Sequence, residues 1–521
     1  MTVGARRRFR APAEDDGVLT EPAANSIAAV LERNHSRQRQ WPSFAGRSIA
    51  DWSAAARQDL LAAAVAHTSR YRDLPQFPAR GPLLLAGHQP QLFHPGVWFK
   101  NFLLSNLADH VRGAAINLIV DNDTQRSPTI GVPSGSLARP YTEPIAFDVP
   151  RPEMPFEERR IVDRDLWNSF PARVRQSLLR TEESPLTLDA LAPHLRRATE
   201  RTQHIGECFA EARHALEGEW GLRTLEVKLS TVCRQPTFRR FTLELLARAN
   251  ELQAIYNRAL AEYRAANKLR SHSHPAPDLE ADDSGCEAPF WLWSADDPQR
   301  RRLFVRTTPA GLELTDRGGV RFVVPVDDPA ALETWEGRGI KVRPRAFVTT
   351  LFARIFLSDL FLHGIGGAKY DEVTDRICRE FLGCEPPEYL TATATLRLPW
   401  GVSFPTRAHL DALVLKAWHL KHHPETFLAD RLDLEPLVAE KRQLIASAPA
   451  RKEGRERRRR ITELNARLAE ELAREQAEVA AAMEHTRGEL RRAAILNSRE
   501  ISFVAYPSEN LRRRLLDASI I

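Results

Sequence analysis

Three short stretches of the 521-residue chain combine glycine with charged or titratable side chains at spacings that suit ligand chemistry. The first is Gly87-His88-Gln89-Pro90-Gln91-Leu92-Phe93-His94-Pro95-Gly96, with Lys100 four residues further on. Imidazole titrates near neutral pH, so His88 and His94 have the side-chain type to move a proton or donate to a phosphate, and Lys100 supplies a positive charge. The plainer account is a tight turn shaped by Gly87, Pro90 and Gly96, with the histidines capping backbone groups. The second stretch is Asp121-Asn122-Asp123, whose paired acids suit an amine, a ribose, Mg2+ or a general-base role. Its bland alternative is a turn in which Asp and Asn bond their own backbone. The third is His363-Gly364-Ile365-Gly366-Gly367-Ala368-Lys369-Tyr370-Asp371. Three glycines in four positions permit close backbone approach to an anionic group, and Lys369 adds a donor, whereas a plain helix-to-helix turn needs one glycine. The G-K-[ST] ending of a Walker A loop is absent.

Elements must place these stretches. The run Leu83-Leu84-Leu85-Ala86 predicts a short buried strand, residues 87–96 a turn, residues 97–111 an amphipathic helix and residues 115–120 a second apolar strand. A helix of about fifteen residues returns the chain roughly 22 Å, so the two strands should run parallel. Ligands of parallel α/β sheets bind beyond the carboxyl ends of the strands, where the following helix offers unpaired N–H groups. The first two stretches both fall there. The central expectation is that the third joins them in a single charged crevice.

Around this unit, residues 1–80 read as a polar leader followed by helical pieces such as 48–70. Long helical segments are expected over 157–266, then a loop rich in Pro, Gly and polar residues, then strand-like pieces at 290–293, 303–305 and 320–324. Residues 341–382 read as helix, glycine-rich loop, helix. Past 430, Leu464, Leu468, Leu472, Ala477 and Met483 recur in a stretch dominated by Ala, Glu and Arg, just after the basic run Arg457 to Arg460. Two helices separated near 447–454 would form an antiparallel coiled coil. The expected fold is therefore α/β: a Rossmann-like parallel-sheet core over 81–430, with a helical insertion at about 157–270 and small strands at about 288–326. A coiled-coil arm over 431–500 and a segment over 501–521 that returns to the core complete it.

Composition narrows the class. With 43% hydrophobic and 27% charged residues the chain can bury a core. Its five cysteines form no C-x-x-C pair and no even set, which argues against a disulfide framework or a thiolate zinc site and favours a reducing, cytoplasmic setting. No metal site is expected, because His419, His422 and His423 share a helical face without a companion acid or cysteine pattern. His272 and His274, in the polar loop, read the same way. No run of about eighteen apolar residues and no export signal is read. The formal charge of +6, from 74 basic and 68 acidic residues, does not by itself make nucleic acid an expected partner.

The order of these motifs resembles that of the bacillithiol-synthesis cysteine-adding enzymes, the BshC-like family. A G-[QH]-Q-x-x-L-x-x-G-x-x-x-x-K type loop resembles Gly87-His88-Gln89 through Lys100, and an acidic motif after the next strand resembles residues 121–123. An R-P segment resembles Arg343-Pro344, followed by the turn with Gly366-Gly367 and Tyr370 and then a coiled coil. The resemblance spans most of residues 80–515. It implies a ligase that joins an amino acid, cysteine, to an amino-sugar acceptor such as glucosaminyl-malate, with ADP or ATP as a nucleotide ligand; a homodimer through the coiled coil is expected under this and the rival readings alike. In that reading His88 carries the proton and Asp121 and Asp123 orient or deprotonate the amine. Lys100 and Arg343 offset negative charge, and Gly87, Gln89, His94, Asn122, His363, Gly364, Gly366, Gly367, Lys369 and Tyr370 bind substrate or nucleotide. Two departures stand out: Asn122 takes the place of a histidine among the acids, and Ala368 or Lys369 that of a glutamate. The stretch from His88 to Lys100 is also similar to the WbqC-like family, which would imply a transferase acting on a nucleotide sugar. A coiled-coil scaffold without catalysis is the rival from another class.

Overall fold

The computed structural model describes residues 9–78, 80–180, 183–271, 273–447 and 454–521. Apolar runs bounded by turns build its main sheet. The strands Leu83–His88 and Ala114–Ile119 pair in parallel from Leu83 opposite Ala114 to His88 opposite Ile119, with the helix Pro95–His110 between them. Burial on both faces explains why these strands read as continuous hydrophobic runs. The helix begins where the sequence supplies both start signals: Pro95 in the first turn, and the His94 side chain, whose Nδ1 accepts from the Gly96 amide at 3.1 Å.

Across the six-stranded sheet the order is Gly17–Glu21, Leu390–Thr395, Leu360–His363, Leu83–His88, Ala114–Ile119, Thr224–Lys228. All neighbours are parallel except Gly17–Glu21, which runs antiparallel to Leu390–Thr395. From Leu83–His88 the chain first builds outward through Ala114–Ile119 to Thr224–Lys228. It then returns to lay Leu360–His363 against the opposite edge of Leu83–His88. The strand order thus reverses between Leu83–His88 and Leu360–His363, and a crevice opens beyond the carboxyl ends of strands at such a reversal.

Two expectations need correction. Thr224–Lys228 is a strand inside the stretch read as helical, set between the helices Ile205–Glu219 and Pro236–Ala247. Leu360–His363 is a central strand rather than part of a helix, because a short apolar run buried on both faces carries no period that separates strand from helix. The strand pieces expected near 290–324 belong to a second, antiparallel sheet made of Gly285–Ser294, Arg301–Thr308, Gly311–Thr315 and Arg321–Val324. Ala281–Asp282 and Ile340–Pro344 both pair with Gly285–Ser294.

The chain divides into two compact units. Met1–Val132, Glu143–Arg397 and Arg499–Ile521 form the first; Pro133–Thr142 and Leu398–Ser498 form the second, which therefore begins well before residue 431. In the second unit Leu420, Leu428, Val438, Leu468, Leu472 and Val479 form a core among helices that include Arg407–His422, Glu435–Ala446, Gly454–Glu470 and Ala473–Leu496. Ala477, read as an inward position, is exposed, and Val479 fills the core instead. Residues 448–453, where a separation between helices was expected, lie outside the described residues, as does His272. Among the described residues no helix is long and apolar enough to cross a membrane.

The first unit's core is knit by aromatic rings. Phe241 lies within 6.4 Å, centroid to centroid, of Phe44, Phe238, Phe352 and Phe356, and is fully buried. Replacing it with alanine leaves a cavity that four rigid rings cannot close. Phe241→Ala should therefore lower unfolding stability by about 3–5 kcal/mol, read from denaturant or thermal unfolding. A loss below about 1 kcal/mol would show that this cluster does not carry the core.

Candidate functional site

At the reversal of strand order lies a crevice of about 860 Å3, within the range of small-molecule sites. Gly87, His88, Gln89, His94 and Lys100 of the first stretch line it. So do Asn122 and Asp123 of the second, and His363, Gly364, Gly366, Gly367 and Tyr370 of the third. The strands explain the convergence: Gly87 and His88 end one central strand, His363 ends its neighbour, and residues 122–123 follow the next strand over.

Lys100 is the centre of this arrangement. It projects from the second turn of the helix Pro95–His110, is 4% exposed, and donates from Nζ to the Gly87 carbonyl at 3.1 Å. A Cβ built on Gly364 would lie 3.9 Å from the same Nζ, so the ammonium sits between the ends of the two central strands. Burial, and then the positive charge of Arg213, push its pKa down to about 8. Arg213 is itself held by Glu217 and Glu226, a buried network that Trp98 and Asn101 join by donating to Glu217 at 2.6 and 2.7 Å. His214, Glu217 and Glu226 bring potential ligand atoms within 4.8 Å of one another. Arg213, however, pairs with both carboxylates, so they are engaged in an ion-pair network.

The same surroundings alter the reading of His88. Its Nδ1 is 2.9 Å from the Gln89 carbonyl, which can only accept, so Nδ1 carries the hydrogen. Burial, followed by Arg213 and Lys100, holds the pKa well below the ordinary histidine value, and the ring stays neutral. His88 therefore stands in the crevice wall as a neutral ring whose Nδ1 hydrogen is already engaged. His94 is likewise pulled down to about 4 by burial, against the opposing pull of Glu500, while its Nδ1 caps the helix and its Nε2 lies 3.4 Å from Glu500.

His363 has the geometry that His88 lacks. Its Nε2 lies 2.9 Å from Asp371 Oδ2, and Arg354 grips the same carboxylate from behind. Burial alone would raise the Asp371 pKa, but Arg354 and then His363 outweigh it and hold the carboxyl at about 2. An ionised carboxylate accepts only, so Nε2 carries the hydrogen and Nδ1 is left as the basic atom. Nδ1 lies 2.8 Å from where a Cβ on Gly367 would stand, which explains that glycine; a Cβ on Gly366 would meet nothing within 4 Å. Lys369 points away: it is exposed and does not line the crevice. The Tyr370 hydroxyl is 3.1 Å from His274 Nε2, so the polar loop after residue 271 reaches the site, and Ser273 and Pro275 line it.

The acidic turn is divided between two places. In the turn that follows the strand, Asn122 faces the crevice while Asp121 lines a separate pocket. Asp121, assigned a catalytic role with Asp123, is thus not in the crevice; it accepts from the Ser230 amide at 2.9 Å and from the Ser230 hydroxyl. Asn122 donates to the Pro344 carbonyl at 2.7 Å. Asp123 joins the two loops, accepting from Gln89 Nε2 at 2.9 Å and pairing with Arg300 at 3.1 Å. Arg343 is also displaced from its expected role: it is buried against Glu157 and Glu336. Its place in the crevice is taken by Arg345, which stacks on Trp291 at 4.2 Å and pairs with Glu287. Arg300, Arg345, Arg354 and Arg499 went unread in the sequence, and Asp371 was given no role of its own. Asp371 alone had a signal, eight residues after His363 at the end of the glycine stretch. The arginines stand in turns or buried helix where no local spacing marks them.

The two neighbouring glycines give a sharp comparison. Gly366→Ala should leave thermal stability and ligand binding within twofold of the parent. Gly367→Ala should displace the His363 ring, visible as a shift of its imidazole resonances, and weaken binding of anionic ligands at least tenfold. Equal behaviour of the two variants would rule out the proposed seat of His363. No protein-family model matches the sequence, and a search of curated proteins returns no significant match.

Proposed function

We propose that the chain is an enzyme that binds an anionic small molecule in the crevice between Leu83–His88 and Leu360–His363, with Lys100 as its main electrostatic anchor. The observation that carries this reading is the buried Lys100 ammonium, placed 3.1 Å from Gly87 O and beside Gly364, with no carboxylate bonded to it among the described residues. An ammonium withdrawn from water is costly unless a negative group completes its surroundings. A phosphate or carboxylate of the ligand would do so. His363, oriented by Asp371, would accept a proton on Nδ1 from an incoming nucleophile, and Arg300 and Arg345 would offset negative charge along the second wall.

Within this class the motif order favours a BshC-like carbon-nitrogen ligase that adds cysteine to an amino-sugar acceptor such as glucosaminyl-malate, with ADP or ATP as the nucleotide. The acceptor nitrogen would bond to the cysteine carboxyl carbon after ATP has activated that carboxyl, so that the carboxyl oxygen leaves with the transferred phosphoryl or adenylyl group. The proton lost by the amine would pass to His363. A Rossmann-like description of the core, a coiled-coil arm that forms a homodimer, and a cytoplasmic setting belong to the same proposal.

Calorimetry with ADP, ATP, cysteine and glucosaminyl-malate tests it. At least one of the anionic ligands should bind and raise the melting temperature, and Lys100→Met should weaken that binding at least tenfold while the fold persists. The pH dependence has a fixed sign. With a free-state pKa of about 8, Lys100 is charged below that value and neutral above it. Affinity should therefore be full below pH 8 and fall as pH rises, by about tenfold per unit once Lys100 loses its proton. Preference for a nucleotide sugar over glucosaminyl-malate would replace the ligase chemistry with transfer. Absence of anion binding, or an unchanged Lys100→Met variant, would overturn the anchor itself.

A further inference from the structure

Two walls of the crevice touch each other at its rim. One is the glycine turn that carries Tyr370; the other is the loop that follows the helix Ala249–Asn267, of which Ser273, Pro275, Ala276 and Pro277 line the crevice together with Tyr256 of the helix itself. Among the described residues, one hydrogen-bonding contact joins residues 273–278 to that turn. His274 Nε2 lies 3.1 Å from the Tyr370 hydroxyl, with the two rings edge to face at 5.2 Å. His274 is exposed and Tyr370 half-buried, so the contact stands on the solvent side of the site.

The backbone behind His274 is held quite differently. Arg264, 8% exposed, donates from Nε to the His274 carbonyl at 3.2 Å, and from its two Nη atoms to the Ala276 carbonyl at 2.6 Å and to Asp278 Oδ1 at 2.7 Å. Asn257 accepts from the Leu279 amide at 2.8 Å and donates to the Leu279 carbonyl at 2.9 Å, and Gln253 donates to the same carbonyl at 2.9 Å. Hydrogen bonds from a buried guanidinium are strong and hard to replace, whereas water readily replaces a lone bond between exposed side chains. The loop is thus fixed where it leaves the helix, and its one link across the rim is weak.

We infer that the His274 and Tyr370 side chains form a gate at the mouth of the crevice, closed in this structure, through which a small anion passes to reach Lys100. Arg264 is its positioning residue, keeping the backbone of His274 within reach of Tyr370. The inference rests on the crevice reading above and concerns entry to that same site. Because the backbone is tied and the rings are not, the gate opens by rotation of a side chain without unfolding the wall.

Labelling of Lys100 in the full chain by trinitrobenzenesulfonate tests it, since this small anion attacks an unprotonated amine and requires no physiological ligand. The rate is read by mass spectrometry at a pH above about 8, where the Lys100 amine is largely unprotonated. His274→Ala, an exposed change that spares the fold, should speed labelling at least fivefold, and Arg264→Met should do the same. Combining the two should add less than twofold, because both act through one ring. In the double variant His274→Cys, Tyr370→Cys, bridging the two thiols with a short reducible bis-thiosulfonate should slow labelling at least tenfold, and reduction should restore it. Stopped-flow binding of ADP should show association and dissociation both faster in His274→Ala, whereas a ring that merely touched the nucleotide would alter dissociation alone. Labelling indifferent to His274→Ala and to the bridge overturns the gate. Full additivity of Arg264→Met with His274→Ala overturns the role of Arg264. Labelling as predicted with no ADP binding would keep the gate and overturn the nucleotide reading of the crevice.

Discussion

The crevice depends on keeping one ammonium group inside the protein. Lys100 is buried at the point where strand order reverses, bonded to a strand-end carbonyl and faced by a second positive charge, Arg213, rather than by an acid. That combination is unfavourable for a resting fold and favourable for capturing an anion. The helix start at His94 and Pro95 fixes where Lys100 emerges. Gly96 permits the helix to press so close to Leu390–Thr395 that an added Cβ would stand 2.2 Å from the Ala394 carbonyl. The backbone thus determines the position of the charge before any ligand arrives.

Beneath the crevice, the network of Arg213, Glu217 and Glu226 sets the local potential. Burial first, and then its arginine, lowers the pKa of His88 and of Lys100, while its carboxylates prevent Arg213 from acting as a loose cation. On the other central strand, Asp371 and Arg354 orient His363. The two strand ends therefore differ in what they present, one a positive charge and the other a basic nitrogen. The turn after Ala114–Ile119 divides its side chains as well, sending Asn122 and Asp123 into the crevice and Asp121 into a smaller pocket.

Much of this was legible in the chain and some was not, for physical reasons. Leu83–His88 and Ala114–Ile119 are apolar runs separated by a helix with clear start signals, so the first parallel pair and the neighbourhood of the two polar turns could be read. Leu360–His363 could not, because its burial on both faces removes the alternation that marks a strand. Thr224–Lys228 was hidden among long helices, and Leu390–Thr395, an alternation of small Ala and Thr, carries little hydrophobic signal. At the site, glycine spacing located the third loop, yet side-chain direction is invisible to spacing. Asp121 was placed in the crevice by proximity in sequence and Arg343 by the family resemblance, and the fold turns both away. The partners that orient His363, Asp371 and Arg354, meet only after the strand and two helices have packed.

The most direct measurement is the pKa of Lys100 itself, followed by NMR of its labelled side chain across pH 6–11 with and without saturating ADP. A free-state value of about 8 that climbs when ADP binds is the predicted result. A value near 10.5, the ordinary lysine pKa, that ignores the nucleotide would place the ammonium in water and contradict the account.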